Sequence, residues 1–231
     1  MIIKKFCVIG LGYFGESLAI KLTEQGAEVI VIDKNTDRLN RIKDKVVLTI
    51  AANSMNEKEL RALDLKDVDA AIVAIGEVFE DSIVTTAILK QIGVKRVITR
   101  VLNPIHEQLL KSLDVSETLV PEAEAADHLA RRLMLPGVLE TFKISKDHSI
   151  FEVKIPSWMI GRSVADVGLR ENYSLNIVTI KRKSETYGIH AKERGEEVLI
   201  IGTPHPNQIF TYDDILVLFG KEKDFSKFMN G

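Results

Sequence analysis

Three glycines near the amino terminus have the spacing of a phosphate-binding loop. Gly10, Gly12 and Gly15 form the pattern G-x-G-x-x-G within the stretch "CVIGLGYFGESLAIKL", residues 7–22. In this pattern the first glycine permits a tight turn, the second lets a pyrophosphate approach the backbone, and the third lets a helix pack on a strand. Backbone amides at the start of that helix can bind phosphate oxygens. The loop therefore predicts a nucleotide site, with a turn required only for packing as the alternative.

An acidic residue follows the glycines at the distance that ribose recognition requires. Asp33 ends the apolar run "AEVIVID" (27–33), roughly 20 residues after the loop. Its carboxylate is placed to accept hydrogen bonds from ribose hydroxyls, and it would repel a 2′-phosphate. The predicted nucleotide site also includes the next residue, Lys34.

Residues that follow three later strands are weaker candidates for the same site. Asn53 comes after the third strand, where an adenine or ribose would lie, although a turn asparagine is an equal alternative. The backbone of Ile75 and Gly76, after the fourth strand, is expected to face the nucleotide. Arg100 ends the fifth strand and could either reach a phosphate or form an ordinary surface ion pair.

The segments that would position these residues alternate between strands and helices. Short runs rich in Val and Ile predict strands at 6–10, 27–33, 45–51, 69–76 and 96–101. Helices are predicted between them, at 13–25, 36–43, 56–63, 80–92 and 104–112. Since strands and helices alternate and the strands are apolar on both faces, the predicted fold class is α/β with a Rossmann-like, doubly wound parallel sheet.

The pattern changes after residue 135. A helix at 121–135 has acidic residues in its first turn and basic residues in its last, as the helix dipole favours. Beyond it, turns separate strands predicted within 138–145, 149–156, 174–183, 196–202 and 214–220, with short helices near 163–169 and 222–229. The predicted organisation is a nucleotide-binding domain at 1–135, which includes the linking helix, and a smaller α+β domain at 139–231.

Charge and apolar patterning argue against several classes of protein. The 31 Lys and Arg residues nearly balance the 33 Asp and Glu residues, so there is no basic field of the kind that binds nucleic acid. No apolar run approaches the roughly 20 residues of a spanning helix, and the first residues lack a signal-peptide pattern. We therefore expect a soluble, cytoplasmic protein. The single cysteine, Cys7, excludes an internal disulfide.

The residues of a catalytic site are not recognisable in the sequence. A dehydrogenase needs a proton donor and acceptor beside the nicotinamide, yet none of the five histidines stands in a recognisable pairing with an acid. No nucleophile elbow, Walker loop or metal-ligand cluster appears. We therefore expect binding without turnover. The alternative is an NAD-dependent oxidoreductase with an unrecognised substrate site.

With these motifs in place, the chain resembles cytosolic subunits of Trk/Ktr-type potassium transport systems. These subunits join an N-terminal RCK domain (regulator of potassium conductance) to a smaller C-terminal RCK domain. The resemblance covers essentially the whole chain, through "VIGLGYFGESLA", "VIVIDKN", "AANSMNEKEL", "DAAIVAIGEVFEDSIVTTAILK", "MIGRSVADVGLRENYSLNIVTIKR" and "GTPHPNQIFTYDDILVLFG".

The resemblance implies a non-enzymatic gating subunit. Family members assemble as homo-oligomeric rings of dimers, in tetramers or octamers, on a membrane-embedded potassium transporter or channel. Binding of ATP, ADP, AMP or NAD(H) in the N-terminal domain changes the ring and with it the transporter's activity. The implied location is cytoplasmic and peripheral to the membrane, through this partner.

The resemblance also implies roles for individual residues. The loop from Gly10 to Gly15, with Tyr13 and Phe14 inside it, holds phosphates, while Asp33 holds the ribose and Asn53 lies at the nucleotide's edge. Glu122 matches an acid near the terminal phosphate, where Mg²⁺ or another cation can bridge.

Tyr13 departs from the family pattern. Many ATP-responsive members carry an arginine within this loop that reaches the terminal phosphate of a neighbour's nucleotide. A tyrosine cannot neutralise a γ-phosphate, so we expect weak discrimination of ATP from ADP. AMP, ADP and NADH become better candidates for the preferred ligand.

The C-terminal domain is the candidate for a second effector site. In relatives it dimerises and can bind cyclic di-AMP between protomers. The corresponding positions here are Arg170, Asn176, Ile177 and Pro204. Asn176 could instead only start a strand, and Arg170 could be an ordinary surface residue.

Overall fold

The computed structural model describes residues 3–135, 137–183 and 198–230. The chain divides into two compact units, Met1–Glu122 and Ala123–Gly231. This division falls inside the predicted linking helix, and the domain limits 1–135 and 139–231 remain predictions. The units are described one at a time.

The first unit contains a six-stranded parallel sheet. Its strands lie in the order β3-β2-β1-β4-β5-β6, and every neighbouring pair is parallel. Their bounds are β1 Lys5–Ile9, β2 Glu28–Asp33, β3 Leu48–Ala51, β4 Ala70–Val73, β5 Val97–Arg100 and β6 Glu117–Leu119. The sheet and its helices confirm the predicted doubly wound, Rossmann-like fold.

Helices connect these strands. They are α1 Tyr13–Glu24, α2 Thr36–Ile42, α3 Glu57–Arg61, α4 Phe79–Ile92 and α5 Pro104–Ser112, and α6 Pro121–Met134 follows β6. Asparagine side chains accept hydrogen bonds from backbone amides at the starts of α2, α3 and α5, namely Asn35, Asn56 and Asn103. These caps satisfy amides that have no partner within the helix and so fix where each helix begins.

Alternate residues of the central strands pack into two different cores. On β1, Cys7 and Ile9 lie in a cluster with residues of α4, whereas Val8 lies in a cluster with residues of α1 and α2. On β4, Ala71 lies in the first of these clusters and Ala70 in the second. The strands are apolar throughout because helices cover both faces of the sheet. Burial also raises the pKa of Cys7 to about 12, so this thiol stays protonated at neutral pH.

Two details of the first unit differ from the sequence prediction. The sixth strand, β6, was not predicted, because only three residues pair there and none is buried. The third strand begins at Leu48 rather than near residue 45, because residues Lys43–Lys45 form a turn of 3₁₀ helix.

The second unit contains a five-stranded antiparallel sheet in the order β10-β9-β11-β8-β7. Its strands are β7 Val138–Lys143, β8 His148–Lys154, β9 Asn176–Lys183, β10 Val198–Ile200 and β11 Ile215–Lys221. The predicted strand at 196–202 lies partly outside the described residues. This sheet agrees with the predicted α+β class of the C-terminal part.

Short helices accompany this sheet. They are α7 Val164–Val167, α8 Leu169–Tyr173 and α9 Glu222–Asn230. The sequence predicted a single helix near 163–169, but Gly168 adopts a left-handed conformation, with φ of 58°, and separates α7 from α8. Phe151 stacks on Phe225 of α9, with ring centroids 4.1 Å apart, inside the core of this unit.

A buried histidine in the first unit makes stability depend on pH. His106 has no exposed surface, and its Nδ1 accepts a hydrogen bond from the Leu102 amide over 3.1 Å. The neutral ring therefore carries its proton on Nε2, which has no partner among the described residues and lies on a ring 5.0 Å from that of Phe79. Burial lowers the pKa of His106, because a charged ring would lose its hydration.

We expect the free energy of unfolding to fall as the pH drops below about 6.5. The unfolded chain protonates this histidine near that pH, whereas the folded chain does so only at lower pH, so acid favours unfolding. The variant His106→Asn keeps an acceptor for the Leu102 amide but cannot ionise. Urea unfolding at about pH 7.5 and 5.5 should show that the free energy of unfolding falls less between these pH values in this variant than in the parent. An equal fall in both proteins would contradict the prediction.

Candidate functional site

A cleft of about 200 Å³ lies at the carboxyl ends of the central strands of the first unit. The residues that line it end or follow β1, β2, β3, β4 and β5. The cleft therefore lies beside β1, where the chain connections on one side of this strand run in the opposite direction to those on the other side. Ligands of doubly wound sheets bind at this kind of switch point.

The glycine loop forms one wall of the cleft. Gly10 has a φ of 96°, a left-handed conformation that side chains disfavour. A Cβ atom added at Gly15 would lie well under 3.0 Å from the Gly10 carbonyl oxygen, so Gly15 permits the close packing of α1. A Cβ atom at Gly12 would meet nothing within 4 Å. The fold itself therefore requires Gly10 and Gly15 but leaves space at Gly12.

The amino terminus of α1 offers free hydrogen-bond donors beside this space. Gly12 is the N-cap residue, and no side chain within the described residues caps this helix end. The first amides of the helix, starting at Tyr13, therefore lack intrahelical partners. Together with the positive end of the helix dipole, they suit an anion such as phosphate. Tyr13 itself is 93% exposed.

Asp33 connects the loop to the end of β2. Its side chain is 5% exposed, and its Oδ2 accepts a hydrogen bond from the Leu11 amide over 2.5 Å. Its Oδ1 accepts one from the Asn35 amide over 2.7 Å. A carboxylate has about four acceptor positions, so two remain for hydroxyl donors.

Ion pairs cross the rim of the cleft. Arg38 of α2 binds Glu77, which follows β4, over 2.9 Å, and its Nη1 lies 4.0 Å from Asp33 Oδ2. Lys34 lies 3.4 Å from Asp81 of α4. Hydrogen bonding to Glu77 is the main cause that raises the pKa of Arg38, which keeps its charge. These pairs hold together residues that follow β2 and β4.

Asn53 performs the turn role that the sequence left open, and it also lines the cleft. Its Oδ1 accepts a hydrogen bond from the Met55 amide over 3.1 Å. The neighbouring Ser54 accepts one from Thr85 over 2.8 Å. A polar wall therefore lies at the end of β3, fixed by short local contacts.

Arg100 lies at the opposite end of the cleft. Its guanidinium binds the Glu122 carboxylate at the start of α6 and lies 6.0 Å from the centre of the Phe14 ring. It also packs on Gly76, where an added Cβ atom would overlap the guanidinium. The Arg100 side chain is 18% exposed and that of Glu122 is 65% exposed, so the pair lies at the surface with its guanidinium partly buried.

Most of the predicted nucleotide-site residues line one cleft, namely Gly10, Gly12, Tyr13, Asp33, Lys34, Asn53, Ile75, Gly76 and Arg100. Phe14, Gly15 and Glu122 do not line it and instead contact or support residues that do. The sequence prediction missed Arg38 and Ser54. For Arg38 a signal was present, since a basic residue in the first turn after Asp33 must lie near the same sheet edge.

The four residues of the predicted second site lie in the second unit. Arg170 and Asn176 are exposed on α8 and at the start of β9, Ile177 is partly buried, and Pro204 is buried in the segment after β10. Within the described ranges, no side-chain hydrogen bond or ion pair joins them. Their binding of a ligand stays a prediction.

Two histidines contact carboxylates, contrary to the sequence expectation. His128 Nε2 lies 2.6 Å from Glu140, and His148 Nδ1 lies 2.9 Å from Asp147. Both pairs are in the second unit and neither lines the cleft. His190 lies outside the described residues.

Glu122 is the position where the resemblance implies a bridging cation. Its carboxylate binds Arg100, and the described part of the chain contains no group of three or more His, Cys, Asp or Glu side chains able to hold a metal ion. Proteins usually hold Mg²⁺ with one or two carboxylates together with phosphate oxygens of the ligand, so a bridging cation at Glu122 stays a prediction.

Comparison with known families matches both parts of the chain. The TrkA-N domain family matches residues 6–121, and the TrkA-C domain family matches residues 148–230. The first match contains every residue that lines the cleft.

Two relatives from Bacillus subtilis (strain 168) align with nearly all of the chain. The Ktr system potassium uptake protein C is 33% identical over 225 residues, which cover 97% of this chain and 96% of the relative. The Ktr system potassium uptake protein A is 29% identical over 227 residues, which cover 98% of this chain and 96% of the relative.

A solved structure supports the fold. The GsuK channel bound to NAD has a TM-score of 0.60 and 16% identity, and the likeness covers 100% of this chain and 40% of the GsuK chain. At this identity the likeness concerns the fold alone. Within the residues described here, every helix is too short or too polar to cross a membrane.

The loop glycines should differ sharply in their tolerance of a methyl group. Gly15→Ala forces the added atom against the Gly10 carbonyl and should cost about 1–3 kcal/mol of unfolding free energy, as overpacking does. Gly12→Ala places the same methyl in open space and should change it by less than about 1 kcal/mol. Urea unfolding of both variants tests this; similar losses would show that the fold requires both glycines.

Proposed function

This chain belongs to the family of proteins that join a TrkA-N domain to a TrkA-C domain, which includes the Ktr potassium uptake proteins, and we propose that it is a nucleotide-sensing regulatory subunit of a potassium uptake system. Its proposed partner is a membrane-embedded potassium transporter or channel subunit, which it contacts from the cytoplasmic side as a homo-oligomer of dimers. The transported ion passes through that partner.

The observation that carries the proposal is that the uncapped amides of α1 and the Asp33 carboxylate lie in the same cleft. The amides suit phosphates, and the two free acceptor positions of Asp33 suit ribose hydroxyls. These groups are the parts common to adenine nucleotides and NAD(H). The open space at Gly12 supports the approach of a pyrophosphate to the backbone.

The charges around Asp33 favour ligands without a 2′-phosphate. Its buried carboxylate would repel a second anion at the ribose. Arg38, the nearest cation, is already bound to Glu77 over 2.9 Å. We therefore infer that AMP, ADP, ATP and NAD(H) are candidate ligands and that NADP(H) is not.

Regulation requires a difference in affinity between two states of the assembly. A nucleotide shifts the transporter between active and inactive states only by the ratio of its affinities for them. By linkage, the transporter state also changes the affinity of the subunit for that nucleotide. The role proposed here therefore needs binding and release without chemical conversion of the ligand. Cyclic di-AMP binding around Arg170 and Asn176 is proposed as a separate input.

Calorimetric titration of the purified chain should show binding of at least one of AMP, ADP, ATP, NAD and NADH, with weaker or absent binding of NADP. Gly12→Asp should abolish binding by placing a carboxylate beside the phosphates, while the open space there preserves the fold. Gly12→Asn, with almost the same volume and no charge, is the matched control and should retain more affinity. Absence of binding by every nucleotide would refute the proposed sensing role.

Potassium flux tests the regulatory part of the proposal. The chain should be reconstituted in liposomes with the potassium-transporting membrane subunit encoded in the same genome. We expect the nucleotide that binds to change the flux only when the chain is present, and Gly12→Asp to remove this dependence. A flux that is the same with and without the chain would contradict the proposal.

A further inference from the structure

We propose that His106 makes the affinity of the cleft for its ligand depend on pH, because the neutral ring favours binding and the protonated ring opposes it. The proposal rests on nucleotide binding in the cleft. It makes His106 a positioning residue, since the ring does not line the cleft but contacts the two chain segments that follow β4 and β5.

The ring of His106 supports one wall of the cleft. Its Nδ1 accepts a hydrogen bond over 3.1 Å from the amide of Leu102, which lies two residues after the cleft residue Arg100. The ring also lies 5.0 Å from that of Phe79, the first residue of α4, which directly follows the cleft residue Val78. A displacement of this ring therefore moves residues next to two that line the cleft.

A proton on Nδ1 removes the contact between His106 and Leu102. The neutral ring carries its proton on Nε2, so a second proton from solvent binds Nδ1, and both ring nitrogens are then donors. No orientation of the charged ring offers an acceptor to the Leu102 amide. The amide and the ring must therefore separate, and the segment between β5 and α5 loses the contact that holds it.

The position of His106 on α5 makes its charge more unfavourable still. It is the third residue of this helix, and its amide donates a hydrogen bond over 2.9 Å to the Asn103 side chain that caps the helix. A cation in the first turn lies at the positive end of the helix dipole. The side chain also has no exposed surface, so water solvates the charged ring only if the packing around it opens.

No carboxylate within the described ranges forms an ion pair with His106. Glu80, at the start of α4, is exposed. The other charged side chains near this site on α4, β5 and α5 have partners of their own, in the pairs Asp81–Lys34, Arg100–Glu122 and Glu107–Lys111. Burial therefore lowers the pKa of His106 without an opposing charge, and the ring becomes protonated only in acid.

Protons and ligand then oppose each other in a measurable ratio. If only chains with a neutral ring bind well, the apparent Kd rises by the inverse of the neutral fraction. The expected rise is about twofold at the pH where half of the rings are protonated and about tenfold one pH unit lower. By linkage, a saturating ligand shifts the midpoint of His106 protonation to lower pH.

NMR spectroscopy and calorimetry test this coupling, with ADP or NAD, whichever binds at about pH 7.5. NMR spectra of the histidine rings give the midpoint of His106 protonation in the folded parent chain, and the ligand should lower it. Calorimetry at that midpoint and one pH unit lower should show the twofold and tenfold rises in Kd. In His106→Asn, which keeps an acceptor for the Leu102 amide and cannot ionise, both rises should be absent. Any titration of the ligand's own phosphates affects both chains equally.

His205→Asn is the matched control. Nδ1 of His205 also accepts a backbone hydrogen bond, from the Asn207 amide over 3.2 Å, but this side chain is exposed and does not line the cleft. The control variant should keep the pH dependence of the parent chain.

Three results would overturn the coupling. They are equal pH dependence in the parent and His106→Asn, a His106 midpoint that the ligand does not move, and a ring that stays neutral until acid unfolds the chain. The midpoint shift is measured on the parent alone, so it decides the question even where His106→Asn does not fold. If the parent binds no nucleotide at about pH 7.5, it is the proposed function that fails.

Discussion

The hydrogen bond from the Leu11 amide to the Asp33 carboxylate is the constraint on which the cleft depends. It joins residues 22 positions apart and fixes the glycine loop against the end of β2 over 2.5 Å. A carboxylate that is 5% exposed must have partners, and the amides of Leu11 and Asn35 provide them. The group proposed to bind ribose therefore also holds the loop proposed to bind phosphate, so a change at Asp33 would alter both parts of the site.

The position of the cleft follows from how the sheet is covered. Because successive residues of β1 and β4 enter different cores, helices must pack on both faces, and their connections must leave the sheet in opposite directions. A crevice opens where the directions change, beside β1. The ion pairs Arg38–Glu77 and Lys34–Asp81 then join residues after β2 to residues after β4 across this crevice. The apolar periodicity thus determines where polar groups can meet.

The local sequence pattern was sufficient to predict the buried strands of the first unit and the loop glycines. It was not sufficient to predict contacts between segments that are distant in the sequence. β6 escaped prediction because its three residues carry little apolar pattern and pair only at the sheet edge. Arg38 meets Glu77 across 39 positions, and such a contact exists only once the strand order is known. The sequence left Arg100 open between a phosphate and an ion pair, and the structure shows both that Arg100 lines the cleft and that it binds Glu122, which lies outside the lining.

The features of the cleft that the fold does not use are the ones that indicate a ligand. Gly15 is required by packing, and its presence alone says little about binding, whereas the space at Gly12 serves no contact within the described chain. The amides of α1 lack a cap, and Nε of Arg100 lacks an acceptor in that same part of the protein. Native proteins leave few buried donors unpaired. These unused groups lie around one crevice, and the phosphate-bearing ligand proposed above would engage them together.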